Sequence, residues 1–597
     1  MGIKISGLLF FISSLSFAQL KIANGEQLTV VDNGVLFANE AIVNNGTISL
    51  NSGKLLLANN FNNAGTLSAS SATIEMVGGN NQSFTFGSND VVKRLELNKS
   101  ANTATVTSGK LTITEAFKSV SGTFEASERV VLQSTIVKTA IVEPSTGGTT
   151  NNIIVERFIP AKRAFRFLSS PVTTATSIKY NWQENQNNTS VLYANNSNTV
   201  AGYGTHIAGS TLGANGFDAT QSGNASLFTF DNSTQSWLPI ANTSINTLAA
   251  GEAYRLMVRG DRSIDMNTNT PSPTNTILRT RGTLKIGNHT VSALSTTANA
   301  FNFIGNPYQS PVDIEEVLVN STNLNPNHYY VWDPKVGGAN GRGAYVTYTF
   351  ATNSNNVSGS TVNEYVQPMQ AFFVKTLANG IANITFNESN KYTFTNENVY
   401  RTNAGVVSLL KLNLFDMMSF QQGDTALDGV ICLFGSQYND SVDSFDAGKL
   451  TNLDENFAIQ KIDTSLSVAA FQPATAQTVY PLSISNFKHE NYVFKAELQN
   501  YQGLTPYLFD NYTHSYTNIE NGMTYAFNVN SNNPLSIAPN RFKIVFTNHA
   551  LDLDNFDLDR LVSVYPNPAT IGKFNLTLPM IIGDVEVNVF NELGQKI

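Results

Sequence analysis

The sequence predicts an all-β protein, and three observations lead to that prediction. Glycine-led strand motifs recur between Val30 and Ser134, Asn, Ser and Thr supply most of the polar surface, and charged residues make up only 13% of the chain. Asn, Ser and Thr suit turns and exposed strand faces, whereas they form long helices poorly. Since 597 residues exceed the ~250–300 that one hydrophobic core supports, we expect several β domains.

The N-terminal segment has the parts of a secretory signal peptide. Lys4 supplies a positive charge, Ile5–Phe17 is an apolar run, and small residues precede a predicted cleavage between Ala18 and Gln19. The run is shorter than the ~20 residues that a membrane-spanning helix needs, and no later apolar run is long enough for one. We therefore expect Sec export, removal of residues 1–18 by signal peptidase, and no transmembrane segment.

Residues 19–142 carry a repeated pattern of glycine, then Thr or Lys, then a large apolar residue. The copies are Gly46-Thr47-Ile48, Gly53-Lys54-Leu55, Gly65-Thr66-Leu67, Gly109-Lys110-Leu111 and Gly122-Thr123-Phe124. Glycine suits turns with positive φ, and the alternation that follows is typical of strands. We predict a β-solenoid with stacked coils, in which Asn44-Asn45 and Asn59-Asn60 form polar ladders. A plain β-sandwich is the alternative.

Two more β regions follow a predicted linker at 143–148. Residues 155–401 are rich in aromatic strands, residues 406–548 are predicted to form a β-sandwich, and residues 549–560 form an acidic linker. The stretches Leu168-Ser169-Ser170-Pro171-Val172, Ile304-Gly305-Asn306-Pro307-Tyr308 and Tyr330-Val331-Trp332-Asp333-Pro334 resemble all-β ectodomain modules of large secreted Bacteroidetes proteins. That resemblance covers roughly residues 155–400 and implies no known chemistry.

The C-terminal residues 561–597 contain a more specific motif. Tyr565-Pro566-Asn567-Pro568 precedes two predicted strands, and a predicted hairpin turn ends at Gly594. This arrangement resembles the C-terminal sorting domain, a β-sandwich, of cargo of the type IX secretion system, which is found in Bacteroidetes. The resemblance implies that type IX machinery carries the protein from the periplasm to the cell surface or the medium. In that family the domain continues through more strands, so we expect a partial domain, either because the sequence is a fragment or because the signal is incomplete.

One loop of the third region has residue types that suit a metal ion. Asn439, Asp440, Asp443 and Asp446 lie close together in the sequence, and Ca²⁺ takes six to eight oxygen ligands from such side chains and from carbonyl groups. No complete calcium-loop motif is present. We favour an exposed, solvated loop, with a calcium site as the alternative.

Composition and motifs limit the functional classes. A net charge of −8 disfavours nucleic acid and anionic membranes as partners. His489-Glu490 begins like a zinc-protease motif, but Val493 occupies the position of the second histidine. The glycine-rich stretch 337–343 lacks the ending of a phosphate loop, so we predict a hairpin connection there. We expect no enzymatic activity.

Two non-catalytic functions remain. The first is an adhesin-like or structural ectodomain that contacts a cell-surface ligand, which the long β chain with repeats supports. The alternative is a carbohydrate-binding or ancillary polysaccharide-utilisation protein, in which exposed aromatic rings stack on sugar faces. The candidate rings for that role are Trp182, Tyr329, Tyr330 and Trp332.

Overall fold

The computed structural model describes residues 3–5, 19–189, 201–267, 271–338, 341–392 and 407–547, and the short pieces 563–565, 575–577, 588 and 595–596. Strands dominate these residues, which confirms the predicted all-β class. The helices are α1 (Ile178–Trp182), α2 (Ile314–Val319) and α3 (Met417–Gln422), with 3-10 turns at Ala214–Gly216 and Glu388–Asn390. Within the described residues, none of the helices has the length and hydropathy of a membrane span.

The N-terminal part of the chain, which we call the coil stack, is a β-solenoid, as predicted. Leu28 pairs with Ile48, and Ile48 pairs with Leu67, so successive coils lie directly on one another in parallel register. Three parallel ladders run side by side, and their inward-facing apolar residues form one continuous core. Its strands are β1 (Ile3–Ile5), β2 (Leu20–Ile22), β3 (Gln27–Val30), β4 (Val35–Ala38), β5 (Ile42–Asn44), β6 (Thr47–Ser49), β7 (Lys54–Leu57), β8 (Phe61–Asn63), β9 (Thr66–Met76), β10 (Gln82–Thr85), β11 (Asp90–Ser108), β12 (Leu111–Glu125), β13 (Val130–Leu132), β14 (Ile141–Val142), β15 (Thr149–Asn151) and β16 (Ile153–Ile159).

The repeated glycines are needed mainly for close approach between coils. A Cβ on Gly65 would overlap the carbonyl oxygen of Gly46, and a Cβ on Gly46 would overlap the carbonyl oxygens of the coil before it. Gly109 and Gly122 do have positive φ, at 74° and 90°. Gly46, Gly53 and Gly65 do not, so the expectation of positive φ is wrong for these three. Backbone of the preceding coil fills the space that a side chain would occupy.

A polar ladder runs inside the coil stack. Asn44 Nδ2 donates to Asn63 Oδ1 at 2.7 Å, and Asn63 Nδ2 donates to Asp90 Oδ2 at 2.7 Å. All three side chains are buried, and each is satisfied by its neighbour in the next coil. The ladder expected at Asn44 is therefore present, and Asn60 also bridges coils by accepting from the Ser83 N–H at 2.8 Å.

The second region, residues 164–392, consists of several small sheets. Its principal sheets have the strand orders β17-β23-β21-β22 and β26-β32-β28-β29-β30. The glycine-rich stretch 337–343 connects β28 to β29, which are antiparallel partners, so the predicted hairpin is confirmed. The strands are β17 (Ala164–Ser169), β18 (Val172–Thr173), β19 (Ala208–Ser210), β20 (Asp218–Ala219), β21 (Leu227–Asp231), β22 (Ser236–Pro239), β23 (Ala253–Val258), β24 (Thr276–Leu284), β25 (His289–Val291), β26 (Phe301–Gly305), β27 (Val312–Asp313), β28 (His328–Asp333), β29 (Ala344–Thr349), β30 (Ser354–Asn355), β31 (Tyr365–Val366), β32 (Ala371–Lys375) and β33 (Ile384–Phe386).

The coil stack extends beyond residue 142, where the sequence predicts its end. β15 and β16 stack in parallel on β12 and β13, because Ile153 and Val155 continue the buried face of the core. β24 of the second region then pairs with β16 in the antiparallel direction and closes the ladder. The predicted linker at 143–148 lies along the stack, where the Glu143 N–H donates to the Phe117 carbonyl at 2.9 Å.

The third region, residues 407–547, has one continuous sheet whose two halves enclose a single core. Leu410, Val430 and Phe494 from one half pack in the same cluster as Ile544 and Phe546 from the other. The strands are β34 (Ser408–Asp416), β35 (Asp428–Phe434), β36 (Ala447–Gly448), β37 (Asn456–Lys461), β38 (Thr464–Phe471), β39 (Val479–Ser485), β40 (Asn491–Gln499), β41 (Thr505–Asp510), β42 (Ser515–Asn518), β43 (Thr524–Asn528) and β44 (Phe542–Thr547). Near the C-terminus, β45 (Ser563–Tyr565) and β46 (Asn575–Thr577) form an antiparallel pair.

An aromatic core joins the second and third regions. Phe373 is its central ring, with centroids of Phe303 and Phe230 at 4.7 and 5.2 Å. The same cluster includes Ile431 and Leu433 of the third region, both buried. Because one core takes side chains from both regions, we expect the two to unfold together rather than independently.

Candidate functional site

A cleft of about 860 Å³ opens where the second and third regions meet. One wall is the β28–β29 connection, and the opposite wall is α3 with two loops of the third region. The volume lies in the range of small-ligand sites, ~300–1,000 Å³. The lining residues are Val336, Gly337, Gly341, Arg342, Gly343, Ala344, Asp416, Met417, Met418, Ser419, Gln421, Gln422, Asp424, Leu427, Asn452, Asp454, Glu455, Lys488, His489, Glu490 and Asn491.

A buried carboxylate with three polar neighbours forms one side of the cleft. Glu455 Oε1 accepts from the Tyr492 hydroxyl at 2.8 Å and from the Lys488 N–H at 2.9 Å, and it lies 3.8 Å from His489 Nε2. The Glu455 side chain is 1% exposed, whereas that of His489 is 45% exposed. Burial, with Glu455 beside it, raises the pKa of the Tyr492 hydroxyl, which stays protonated. His489 therefore presents its imidazole to solvent beside a buried, hydrogen-bonded carboxylate.

An ion pair holds the two walls of the cleft together. Arg342 of the second region donates to both carboxylate oxygens of Asp454 in the third region, with Nε at 2.9 and 3.1 Å. Nη2 also donates to the Leu453 carbonyl at 2.6 Å. The hydrogen bonds that Arg342 donates to Asp454 raise the pKa of Arg342. A two-pronged contact of this kind fixes orientation as well as distance.

The cleft has an excess of negative charge. Among the described residues that line it are five carboxylates, against the two basic side chains of Arg342 and Lys488 and the imidazole of His489. Arg342 is already engaged by Asp454, and Lys488 Nζ donates to Asn486 at 2.7 Å. Glu490 lies at the exposed edge. The arrangement can hold a polar ligand by hydrogen bonds, and it favours groups that donate them.

The predicted calcium loop is organised by a lysine. Lys461 Nζ lies 3.0 and 3.1 Å from the two carboxylate oxygens of buried Asp446, which also accepts the Asp443 and Ala470 N–H groups. Asn439 donates to Asp443 at 2.6 Å, and Asp440 accepts from the Gln472 N–H at 3.4 Å. An ion here would have to displace Lys461.

The Asp446–Lys461 ion pair therefore gives no support to the alternative of a calcium site at this loop. Within the described ranges, no group of three or more His, Cys, Asp and Glu side chains is arranged to hold a metal ion. The loop instead contributes to the contact between regions, because its Phe445 carbonyl faces His328 Nε2 of the second region at 3.0 Å.

His328 makes the fold sensitive to acid. Burial, with Lys375 nearby, lowers the pKa of His328 to about 4, against the opposing hydrogen bond with Phe445. The unfolded chain has a histidine pKa of about 6.5, so it binds more protons between pH 6.5 and 4. Stability should be constant above about pH 6.5 and should fall by roughly 3 kcal/mol as the pH drops to 4. Urea unfolding across this range measures the effect.

A matched pair of variants tests this assignment. His328→Gln keeps a donor toward Phe445 but removes the titration, so its stability should depend less on pH than that of the wild type. His514→Gln changes an exposed histidine and should leave the pH dependence intact. Part of the dependence should persist in both, because burial also lowers the pKa of His289 to about 4. Equal pH dependence in the two variants would contradict the assignment.

The aromatic side chains proposed as sugar platforms are core residues. Trp182 is 0% exposed, Tyr329 and Tyr330 are each 1% exposed, and Trp332 is 5% exposed. Strand β28 is buried on both faces, since one face packs on the second region's own core and the other on the aromatic core shared with the third region. Their burial removes the basis for the alternative in which these rings stack on a sugar.

The second region also contains a buried ionic cluster. The Asp218 carboxylate accepts hydrogen bonds from Arg262 Nη2 at 2.8 Å, from Arg262 Nη1 at 3.1 Å and from Gln183 Nε2 at 3.2 Å. It also lies 3.2 Å from His206 Nδ1. Burial alone would raise the pKa of Asp218, but His206 and Arg262 lower it well below its usual value. With the Ile207 N–H also bound at 2.9 Å, the carboxylate is saturated, so the cluster is structural.

The remaining candidate residues are Cys432 and the residues of the predicted cleavage site and sorting motif. Cys432 is fully buried, and burial raises the pKa of its thiol to about 12, so the thiolate needed for nucleophilic attack does not form near neutral pH. Gln19 is exposed, and Tyr565 lies in β45. Outside the described residues lie Ala18, Pro566, Asn567, Pro568 and Gly594.

The cleft could not be found from sequence motifs, because its residues come from four separated segments. His489 and Glu490 are at its edge, although they stand out in the sequence only as an incomplete zinc motif. Comparison with protein-family models, with curated proteins and with solved structures finds no match to this chain.

Proposed function

We propose that this protein is exported through Sec and the type IX secretion machinery and acts at the cell surface or in the medium as a non-catalytic, adhesin-like ectodomain. The cleft between the second and third regions supports this proposal most directly. It is open to solvent and lined by polar side chains, and the Arg342–Asp454 ion pair and the aromatic core on Phe373 hold its walls. A preorganised recess suits contact with a polar ligand on a cell surface.

The chemistry of the lining favours binding over reaction. Asp454 is neutralised by Arg342, Asp416 caps α3 by accepting the Met418 and Ser419 N–H groups, and Glu455 is held by Tyr492. These carboxylates are committed to positioning the walls. The carbohydrate-binding alternative depended on exposed aromatic rings, and those rings are buried. We therefore propose that the cleft contacts its ligand through hydrogen bonds and charge.

Export is tested by expressing the full-length protein in a host with type IX secretion. We expect a surface or medium fraction whose N-terminal sequencing begins at Gln19, and retention in the periplasm when residues 561–597 are removed. Ala18→Gln should block processing, because the peptidase requires a small residue there. Unprocessed wild-type protein retained in the periplasm would refute the proposed route.

The adhesive role of the cleft is tested by cell binding. Beads coated with the mature protein should bind target cells, and the double variant His489→Ala, Glu490→Gln should bind several-fold fewer. Asp265→Asn is the control, since Asp265 is also an exposed acid but lies in the second region outside the cleft lining. Equal retention of the double variant and wild type would exclude the cleft as the contact.

A further inference from the structure

Only one of the two carboxylate oxygens of Glu455 is committed to the wall of the cleft. Oε1 accepts from the Tyr492 hydroxyl at 2.8 Å and from the Lys488 N–H at 2.9 Å. Among the residues that the structure describes, no hydrogen bond reaches the other oxygen, Oε2. The side chain is 1% exposed, so bulk solvent has little access to it. A donor brought to Oε2 would therefore be held strongly, because a buried carboxylate oxygen without a donor is costly.

The carboxylate belongs to the cleft wall, and its orientation is fixed. Glu455 lines the cleft together with Lys488 and His489, the two residues next to its carboxylate. His489 Nε2 lies 3.8 Å from Oε1, which is beyond hydrogen-bond distance. The Tyr492 hydroxyl that binds Oε1 also accepts the Lys488 and His489 N–H groups, at 2.9 and 2.8 Å. Glu455 is thus held in place before a ligand arrives, which lowers the cost of ordering it on binding.

The charge of the lining favours a cation as the donor. Five carboxylates line the cleft, against the basic side chains of Arg342 and Lys488. The charge of Arg342 acts on Glu455 through space, but its Nε donates to Asp454. Lys488 Nζ donates to Asn486. Since a hydrogen bond between a charged donor and a carboxylate is roughly twice as strong as a neutral one, a cationic ligand gains the most from Oε2.

The number of available oxygens selects between the two cations that proteins carry most often. A guanidinium group binds a carboxylate best through two parallel hydrogen bonds, one to each oxygen. Because Oε1 of Glu455 already accepts two hydrogen bonds, a ligand is left with one oxygen. A primary ammonium group is a compact charge, for which one oxygen suffices. Met417, Met418 and Leu427 supply apolar surface in the same lining, on which an aliphatic stem can lie.

We propose that the cleft binds a primary ammonium group on an aliphatic chain, and that Glu455 Oε2 accepts its hydrogen bond. A lysine side chain of a surface protein and a free diamine both carry this group. They differ in the peptide backbone, which only the protein ligand has. The inference rests on the proposed function, because it names the chemical class of the ligand that the adhesive cleft contacts. Tyr492 is a positioning residue, since it acts on the ligand through Glu455.

Isothermal titration calorimetry of the mature protein, residues 19–597, tests the inference with short peptides. The probes are acetyl-Gly-Lys-Gly-amide, the same peptide acetylated on the lysine side chain, and acetyl-Gly-Arg-Gly-amide. We expect the lysine peptide to bind about tenfold more tightly than its acetylated form, which lacks the charged donor. It should also bind more tightly than the arginine peptide. Cadaverine distinguishes the two sources: affinity equal to or above that of the lysine peptide indicates a free amine, and lower affinity indicates a lysine of a protein.

Glu455→Gln is the matched variant, because glutamine keeps the size of the side chain and an acceptor for Tyr492 but removes the negative charge. It should bind the lysine peptide about tenfold more weakly than wild type. Glu156→Gln is the control. Glu156 is also a buried glutamate, 4% exposed, but it lies on β16 of the coil stack, so its replacement should leave binding unchanged. Circular dichroism checks folding, and if Glu455→Gln fails to fold, the two lysine peptides on wild type decide.

Four results would overturn the inference: no binding of the lysine peptide or cadaverine to wild type, equal affinity for the lysine and acetylated peptides, a preference for the arginine peptide, or full affinity in folded Glu455→Gln. The bead assay separates this failure from failure of the proposed function. If beads bind target cells through the cleft and wild type ignores the amine probes, only the class of ligand is wrong. If beads do not bind cells, the adhesive role fails whatever the peptides show.

Discussion

Replacing Asp218 by Asn is expected to destabilise the second region by about 3–5 kcal/mol, because it leaves Arg262 as a buried, unpaired charge. The loss includes hydrogen bonds from Gln183 and the Ile207 N–H, which an amide cannot all accept. Urea unfolding followed by tryptophan fluorescence reports the change, since Trp182 packs in the same core cluster as Ile207.

The control for this variant is Asp265→Asn. Asp265 is exposed in the same region and accepts the Asn267 N–H at 2.8 Å, so its replacement should cost less than about 1 kcal/mol. A shift of the unfolding midpoint that is the same for both variants would show that the Asp218 cluster contributes no special stability.

Truncating Phe373 to Ala should cost about 3–5 kcal/mol, the range for a fully buried aromatic residue. The ring lies at the centre of the core shared by the second and third regions, so its loss should lower the stability of both. We expect probes in the two regions, Trp237 in the second and hydrogen exchange of β35 in the third, to report the same reduction.

Phe509→Ala is the matched comparison. Phe509 is half-buried on β41 and contacts Tyr516, with ring centroids 4.4 Å apart. Its truncation should cost clearly less than that of Phe373 and should leave the second region unchanged. If Phe373→Ala destabilises one region and spares the other, the shared core does not couple them.

The coil stack could be predicted from the sequence because its signals are local. Gly46 and Gly65 recur at the coil repeat, and the buried Asn44–Asn63 contact follows from the same stacking. The physical role of the glycines could not be predicted, since a close approach between coils involves backbone distant in the sequence. The end of the stack was missed for the same reason, because β24 comes from the middle of the second region.

The candidate site depended on long-range contacts that composition does not reveal. The stretch Tyr329 to Trp332 is aromatic, which is equally typical of a sugar platform and of a strand buried on both faces; the shared core decides for the latter. Asp446 is close in sequence to Asp440 and Asp443, but its partner is Lys461, at the end of β37. The closeness of these acids in the sequence therefore suggested a metal site, whereas in the folded chain the ammonium group of Lys461 pairs with Asp446.

The closure of the coil stack by β24 has a consequence for the order of folding. Ile153 pairs with Gly282, so the last ladder is completed only after more than a hundred further residues have been synthesised. Until then the edge of β16 remains open during synthesis, in a form that invites aggregation. The coil stack can begin to assemble from its N-terminus as the chain emerges, but its completion waits for the second region, so we expect this long-range pairing to be the slow step of folding.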